Sequence, residues 1–314
     1  MMQKIGLVFS GGGGKGAYEV GVWRAMEELG LAKDIVAVSG TSVGALNAAL
    51  FAQGDLSKAE KAWLSMRPSD VLSIKLKDIA KELIEKGVVL SPAVIAFIKV
   101  LSMNGIFSRD GLLRIIQDYL DDSVVKRRGM SCYACATQLP LLKAPYFSLQ
   151  AHRTETIADI LLASSAIPLV FPQQKVDGKT YLDGFIRDNT PIKPLIKEGC
   201  NIIIAVMLSR SDLLPIDDYP NCKIIPIYPQ EHPGAALSFN RSAEKMQHGY
   251  DDAMTVLAPV FELVETNYNY SVELLKLKKQ HNEYHSLQRQ QESTQHIIDE
   301  SKSALLQEME KWKQ

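Results

Sequence analysis

Three short constellations in this 314-residue chain have the residue types and spacing of reactive chemistry. The first is Gly11-Gly12-Gly13-Gly14-Lys15-Gly16, which follows the apolar run Ile5–Phe9. After it, from Ala17 to Leu29, Val20, Val22, Trp23, Met26 and Leu29 recur at helical spacing. A glycine turn between a strand and a helix presents several backbone N–H groups at a helix N-terminus, which is a site for negative charge. The charge is a phosphate in nucleotide-binding turns and an oxyanion in acyl-transfer enzymes. The turn alone leaves both open. It fits G-x-G-x-x-G, but Ser39-Gly40-Thr41-Ser42 stands where the dinucleotide pattern expects an acidic residue. It departs from a P-loop in its shorter glycine spacing and in having Gly16 after Lys15.

The second constellation is Gly40-Thr41-Ser42-Val43-Gly44, after the strand-like Ile35–Val38 and before the small-residue helix Ala45–Ala52. G-x-S-x-G between a strand and a helix is the context of a nucleophile elbow, with Ser42 exposed to substrate and a helix N-terminus aimed at it. Ser42 as a simple helix cap is the plainer use of the same residue. A serine nucleophile needs a base. Of six histidines, His281, His285 and His296 lie in a charged tail, and His152, His232 and His248 sit in no motif. The third constellation, Tyr181-Leu182-Asp183-Gly184, offers a carboxylate, although Asp-Gly is also an ordinary turn.

In order along the chain, these blocks resemble the signature of patatin-like phospholipases: a G-G-G-x-K/R-G turn, G-x-S-x-G, and a later D-G-G/A. Ala163-Ser164-Ser165-Ala166-Ile167-Pro168, continuing to Phe171-Pro172, is also similar to the family, as is the helix-like Arg241–Met254. The resemblance covers residues 4–258, and Phe185 departs from it where Gly or Ala is usual. It implies a Ser–Asp dyad without histidine, with Ser42 as nucleophile and Asp183 as proton acceptor. Gly11, Gly12, Gly13, Gly14, Lys15 and Gly16 would form the oxyanion hole, with Lys15 organising the loop, and Gly40 and Gly44 would flank the elbow. The implied substrate is a phospholipid or another fatty acyl ester, and no metal or cofactor is required. Two rivals stand beside this reading. One is a catalytically weak family member that works through a partner, for which Phe185 is the clue. The other is a nucleotide- or phosphate-binding module built on the glycine turn.

The elements that must position these residues read as an α/β fold. Strand, turn and helix repeat twice in the first ~50 residues, the pattern of a parallel sheet with crossover helices. Further strands are expected at Ser131–Thr137, Tyr146–Leu149, Asn201–Leu208 and Lys223–Ile227, and helices at Ile157–Ser165 and over 240–257. Residues 55–128 read as mostly helical, with Leu112, Ile115, Ile116 and Tyr119 on one stripe. The fold expected is a three-layer patatin-type domain with a central, mostly parallel sheet, over 1–258. A helical C-terminal extension over 259–314 is expected to follow, and its 270–314 stretch, rich in Glu, Lys and Gln, is a candidate for self-association or partner docking.

Bulk properties narrow the classes. Hydrophobic residues make up 46%, enough for a sizeable core, and a net charge of −1 gives no long-range attraction to nucleic acid. Four cysteines do not make a disulfide framework, and Cys132-x-x-Cys135 sits in an apolar stretch that suits small core residues on a strand better than a redox or zinc pair. No secretory signal, lipidation motif or apolar stretch of spanning length is read, so a cytoplasmic protein with peripheral membrane contact is expected. The segment Val88–Met103, apolar except for Lys99 and polar small residues and broken at Pro92, is the candidate for that contact.

Overall fold

The computed structural model describes residues 3–67, 73–74, 107–108, 110–168, 170–212, 214, 216–232, 234–236 and 238–265, and in the tail 286–287, 289–291 and 293–294. The segment Val88–Met103 and most of 270–314 lie outside the described residues. The chain divides into two compact units, Met1–Ala258 and Pro259–Gln314. In the second, the described residues are helical.

The first unit runs β1 (Ile5–Phe9), α1 (Ala17–Glu28), β2 (Ile35–Thr41), α2 (Val43–Gln53) and α3 (Leu56–Ser65). Two-residue strands β3 (Ser73–Ile74) and β4 (Phe107–Ser108) pair with each other. Then come α4 (Asp110–Tyr119), α5 (Asp122–Arg128), β5 (Ser131–Gln138), β6 (Tyr146–Ser148) and α6 (Thr154–Ser164). The unit closes with β7 (Gln174–Val176), β8 (Lys179–Asp183), α7 (Lys193–Lys197), β9 (Ile202–Val206), β10 (Lys223–Ile227) and α8 (Ser242–Glu265), which runs past the unit boundary.

The main sheet has the order β10-β9-β1-β2-β5-β8-β7, with β6 also on β5. The pairs among β10, β9, β1, β2 and β5 are parallel, and β6, β7 and β8 join antiparallel. Parallel strands covered on both faces read as unbroken apolar runs, as Ile202–Val206 does. Alternation along β1 sends Leu7 and Phe9 into the large core with α1, α2, α3 and α6, and Val8 into a smaller core with Ile192, Leu195 and Ile203 on the opposite face. These are the three layers. Helix α2 is buried along its whole length. Its Ala45, Ala48, Ala49 and Ala52 let it sit close on the sheet, so small residues substitute for an amphipathic stripe.

The expected stripe on 112–119 is real: Leu112, Ile115 and Ile116 are buried, and Tyr119 packs at the edge of the same core. Strand β2 extends three residues beyond Val38, through Thr41. The polar Ser39 and Thr41 hid this extension, but their hydroxyls donate to the carbonyls of Pro191 and Asp188, so they sit in the sheet as satisfied buried groups.

Candidate active site

The register of β5 brings two distant blocks together. One edge of β5 carries β6 and the Gln138–Lys143 bridge, so β2 and β8 share the other edge. Strand β2 ends with Thr41 opposite Cys135. Strand β8 comes from the other direction and ends with Asp183 opposite Ala136, the next residue of β5. The two strands therefore meet end to end, with Ser42 leaving one and Asp183 closing the other.

Ser42 takes φ 58° and ψ −127°, a backbone state rarely adopted by residues with a Cβ. It joins β2 directly to the first turn of α2. The flanking glycines make this turn fit. A Cβ on Gly40 would lie 2.1 Å from the Gly44 carbonyl oxygen, and one on Gly44 2.4 Å from that of Phe9. The Ser42 N–H donates to Ser164 Oγ at 2.8 Å, and Ser164 Oγ donates in turn to the Cys135 carbonyl at 2.6 Å. Ser164 thus ties the elbow to β5, a role its sequence position did not reveal.

Asp183 is fully buried. Its Oδ1 accepts the Phe185 N–H at 2.9 Å, while Oδ2 has no partner of normal hydrogen-bond geometry among the described residues. Burial pushes its carboxyl up to about 7, against the opposing pull of the Phe185 N–H and the Ser42 hydroxyl. The Ser42 hydroxyl is therefore a near neighbour that stops short of a formed hydrogen bond. A carboxyl that ionises near neutrality, with one oxygen uncommitted beside a serine, has the properties of a general base. Phe185 keeps its backbone donation to Asp183, and its side chain is 48% exposed, turned outward instead of filling the site.

The glycine turn is more committed than its sequence suggests. The N–H groups of Gly11, Gly14, Lys15 and Gly16 donate to the carbonyls of Asn189, Ala236, Gly12 and Gly13 respectively. Among the described residues no backbone acceptor meets the N–H of Gly12 or Gly13. Of the six residues expected to form an oxyanion turn, Gly12 and Gly13 are thus the two whose amides have no backbone partner among the described residues. Lys15 Nζ donates to the Leu208 carbonyl at 3.4 Å. Gly13 has φ +59°, and a Cβ there would lie 2.0 Å from the Ala236 carbonyl oxygen. The loop after β10 therefore covers the turn, and it is pinned from α8. Lys245, buried in spite of its charge, donates to the carbonyls of Gly14 at 2.9 Å and Ser238 at 2.6 Å.

An apolar cavity of about 20 Å3 opens beside Ser42, with Gly13, Leu46, Leu112, Ile167, Phe171 and Phe239 among its walls. No histidine lines it. His152 bonds the Ser148 carbonyl and packs on Phe147, and His248 faces Glu231 at 3.6 Å. Cys132 and Cys135 are buried free thiols on β5, pushed up by burial. Among the described residues no cluster of His, Cys, Asp or Glu is placed to hold a metal ion, and no described helix is long and apolar enough to cross a membrane.

The family profile for patatin-like phospholipases matches residues 7–196, more than half of the chain and all three blocks. The chain belongs to the patatin-like phospholipase family. It is 27% identical over 215 residues to an uncharacterized NTE family protein of Mycobacterium tuberculosis, covering 68% of this chain and 52% of that one. It is 26% identical over 219 residues to lysophospholipase NTE1 of Cryptococcus neoformans, covering 69% of this chain and 12% of that one. The chain thus spans about half the length of the mycobacterial relatives. Among solved structures, VipD from Legionella pneumophila shares the fold with a TM-score of 0.50 at 16% identity, over 82% of this chain and 67% of that one. For this patatin-like chain the mostly parallel, three-layer α/β fold follows from both the sheet order and that likeness.

Proposed function

We propose that this chain hydrolyses fatty acyl esters as a phospholipase A or lysophospholipase, through a Ser42–Asp183 dyad carried by a catalytic domain over 1–258. The observation that carries the reading is the end-to-end meeting of β2 and β8 on one edge of β5. It sets a strained serine beside a buried carboxyl with one uncommitted oxygen. Asp183, ionised, accepts the Ser42 proton as Oγ attacks the ester carbonyl. The N–H groups of Gly12 and Gly13 face the developing oxyanion. The proton passes from Asp183 to the departing alcohol, leaving an acyl-enzyme. Water then attacks the acyl carbonyl, Asp183 takes its proton, and the fatty acid leaves as Ser42 is re-protonated. The apolar cavity beside Ser42 suits the start of the acyl chain, and at about 20 Å3 it must widen to take the rest.

Lipid must reach Ser42 from an interface. The tips of the β5–β6 and β7–β8 hairpins stand side by side past the end of β5 that carries the site, since β8 begins opposite residues just beyond Gln138. Leu141 and Leu142 are 63% and 42% exposed there, among exposed Lys143, Lys175 and Lys179. Apolar tips ringed by lysines suit an anionic lipid surface. The backbone N–H of Phe185 still donates to Asp183, as any residue there could. Assaying wild type and Ser42→Ala on a panel of phospholipids, lysophospholipids and p-nitrophenyl acyl esters tests the reading. Acyl release by wild type alone is expected. Equal release by both, or by neither, contradicts it.

A further inference from the structure

The two uncommitted amides of the glycine turn need something to aim them, and one side chain outside every recognised motif is placed to do so. Asn189 grips Gly11 on both sides. The Gly11 N–H donates to the Asn189 carbonyl at 3.2 Å, and Asn189 Nδ2 donates back to the Gly11 carbonyl at 3.2 Å. The Gly11 carbonyl and the Gly12 N–H belong to the same planar peptide unit. Holding that oxygen therefore fixes the direction of the Gly12 N–H.

The orientation of the Asn189 amide is itself determined. Its Nδ2 faces two acceptors, the Gly11 carbonyl and Asp212 Oδ2 at 3.4 Å, neither of which suits the amide oxygen. Oδ1 is consequently turned inward, buried and without a hydrogen-bond partner among the described residues. It lies 2.5 Å from the point where a Gly11 Cβ would stand, and Ser42 Cβ lies 3.3 Å from that point. Leaving a buried carbonyl without a partner is costly. Packing alone would be served better by an apolar side chain, so the arrangement makes sense for what Nδ2 does to the turn.

We propose that Asn189 is a positioning residue of the oxyanion hole: its amide sets the Gly11–Gly12 peptide so that the Gly12 N–H points at the ester oxygen, with Asp212 holding the amide in that orientation. This deepens the acyl-hydrolase reading and rests on it. Removing the clamp should act on the transition state and spare ground-state binding. With a soluble p-nitrophenyl ester, Asn189→Ala is expected to lower kcat by roughly 10²-fold, the scale of one misaimed oxyanion donor, with KM nearly unchanged. Its rate of labelling by a fluorophosphonate, whose attack also builds negative charge on the phosphonyl oxygen as fluoride leaves, should fall in parallel. Asn189→Asp, which puts an oxygen against the Gly11 carbonyl and Asp212, should be at least as severe. Asp212→Ala, which removes the half-buried acceptor that steadies the Asn189 amide without removing the amide itself, should lower kcat a few-fold.

Thermal melts accompany each variant. An unchanged kcat in folded Asn189→Ala, or a change confined to KM, overturns the proposal. If that variant melts below the assay temperature, Asp212→Ala decides in its place, and a wild-type kcat there overturns it. A wild type that neither hydrolyses esters nor takes the label at Ser42 would instead sink the underlying function. The two failures are therefore distinguishable.

Discussion

The two halves of the proposed site are held in different ways. The half proposed to carry the nucleophile is built from the sheet: β2 delivers Ser42, β8 delivers Asp183, and β5 sets their register. The oxyanion half is a loop whose shape is imposed from outside, by Asn189 on Gly11, by Ala236 on Gly14 and by Lys245 on Gly14 and Ser238. A reactive serine can be placed by local geometry, because strand, sharp turn and helix are consecutive in the chain. An oxyanion hole needs donors that stay free, and free donors cannot hold themselves. Their neighbours must do it, and those neighbours arrive from residues 189 to 245.

The largest expected effect breaks the sheet-borne half. Ser42→Ala and Asp183→Asn should each remove essentially all p-nitrophenyl ester hydrolysis, and the double variant should be no worse than either single one, because the pair acts as a unit. Additive losses in the three variants would mean that the two groups work separately. Next comes the loop-borne half. Gly13→Ala forces a Cβ onto the Ala236 carbonyl at a left-handed position, so the turn or the covering loop must shift. A loss of roughly 10²–10³ in kcat with little change in KM is expected. A purely KM effect would indicate that the turn binds ground-state charge instead.

A smaller and more selective effect is expected at the hairpin tips. Leu141→Asp with Leu142→Asp should leave the melting temperature and short-ester turnover near wild type, because both side chains are already exposed. Binding to anionic vesicles and turnover of vesicle phospholipid should drop. Unchanged vesicle binding would move the lipid contact elsewhere on the chain. The smallest effects belong to the histidines. His152→Ala, His232→Ala and His248→Ala should each keep most activity, whereas a loss of about 10⁴-fold in any one would transfer the base to it.

The same contrast explains what could be read in advance. The alternation of Ile5–Phe9 and Ile202–Val206 with glycine turns and helices disclosed the α/β sheet, because period and turn chemistry are local. Gly40-Thr41-Ser42-Val43-Gly44 disclosed its elbow for the same reason. Asp183 was reachable only through its place in an ordered set of blocks, since nothing in Leu182-Asp183-Gly184 shows that Ala136 will stand opposite it. Asn189 carried no legible signal, and the family-like blocks that contain Ser164 and Lys245 did not mark what either side chain does. Each works through one or two long-range hydrogen bonds to backbone atoms, and a backbone partner leaves no mark on the sequence.

The central claim is that Asp183 is the base that activates Ser42. Its most direct test is the rate at which a fluorophosphonate labels Ser42, followed by intact mass against pH, in wild type and Asp183→Asn. Burial raises the Asp183 carboxyl to about 7, and only its ionised form can take the serine proton. The wild-type rate should therefore climb as pH rises through about 7 and level off above it, while Asp183→Asn should label far more slowly and without that inflection. Labelling of Asp183→Asn at the wild-type rate, or with the same inflection near 7, would contradict the dyad.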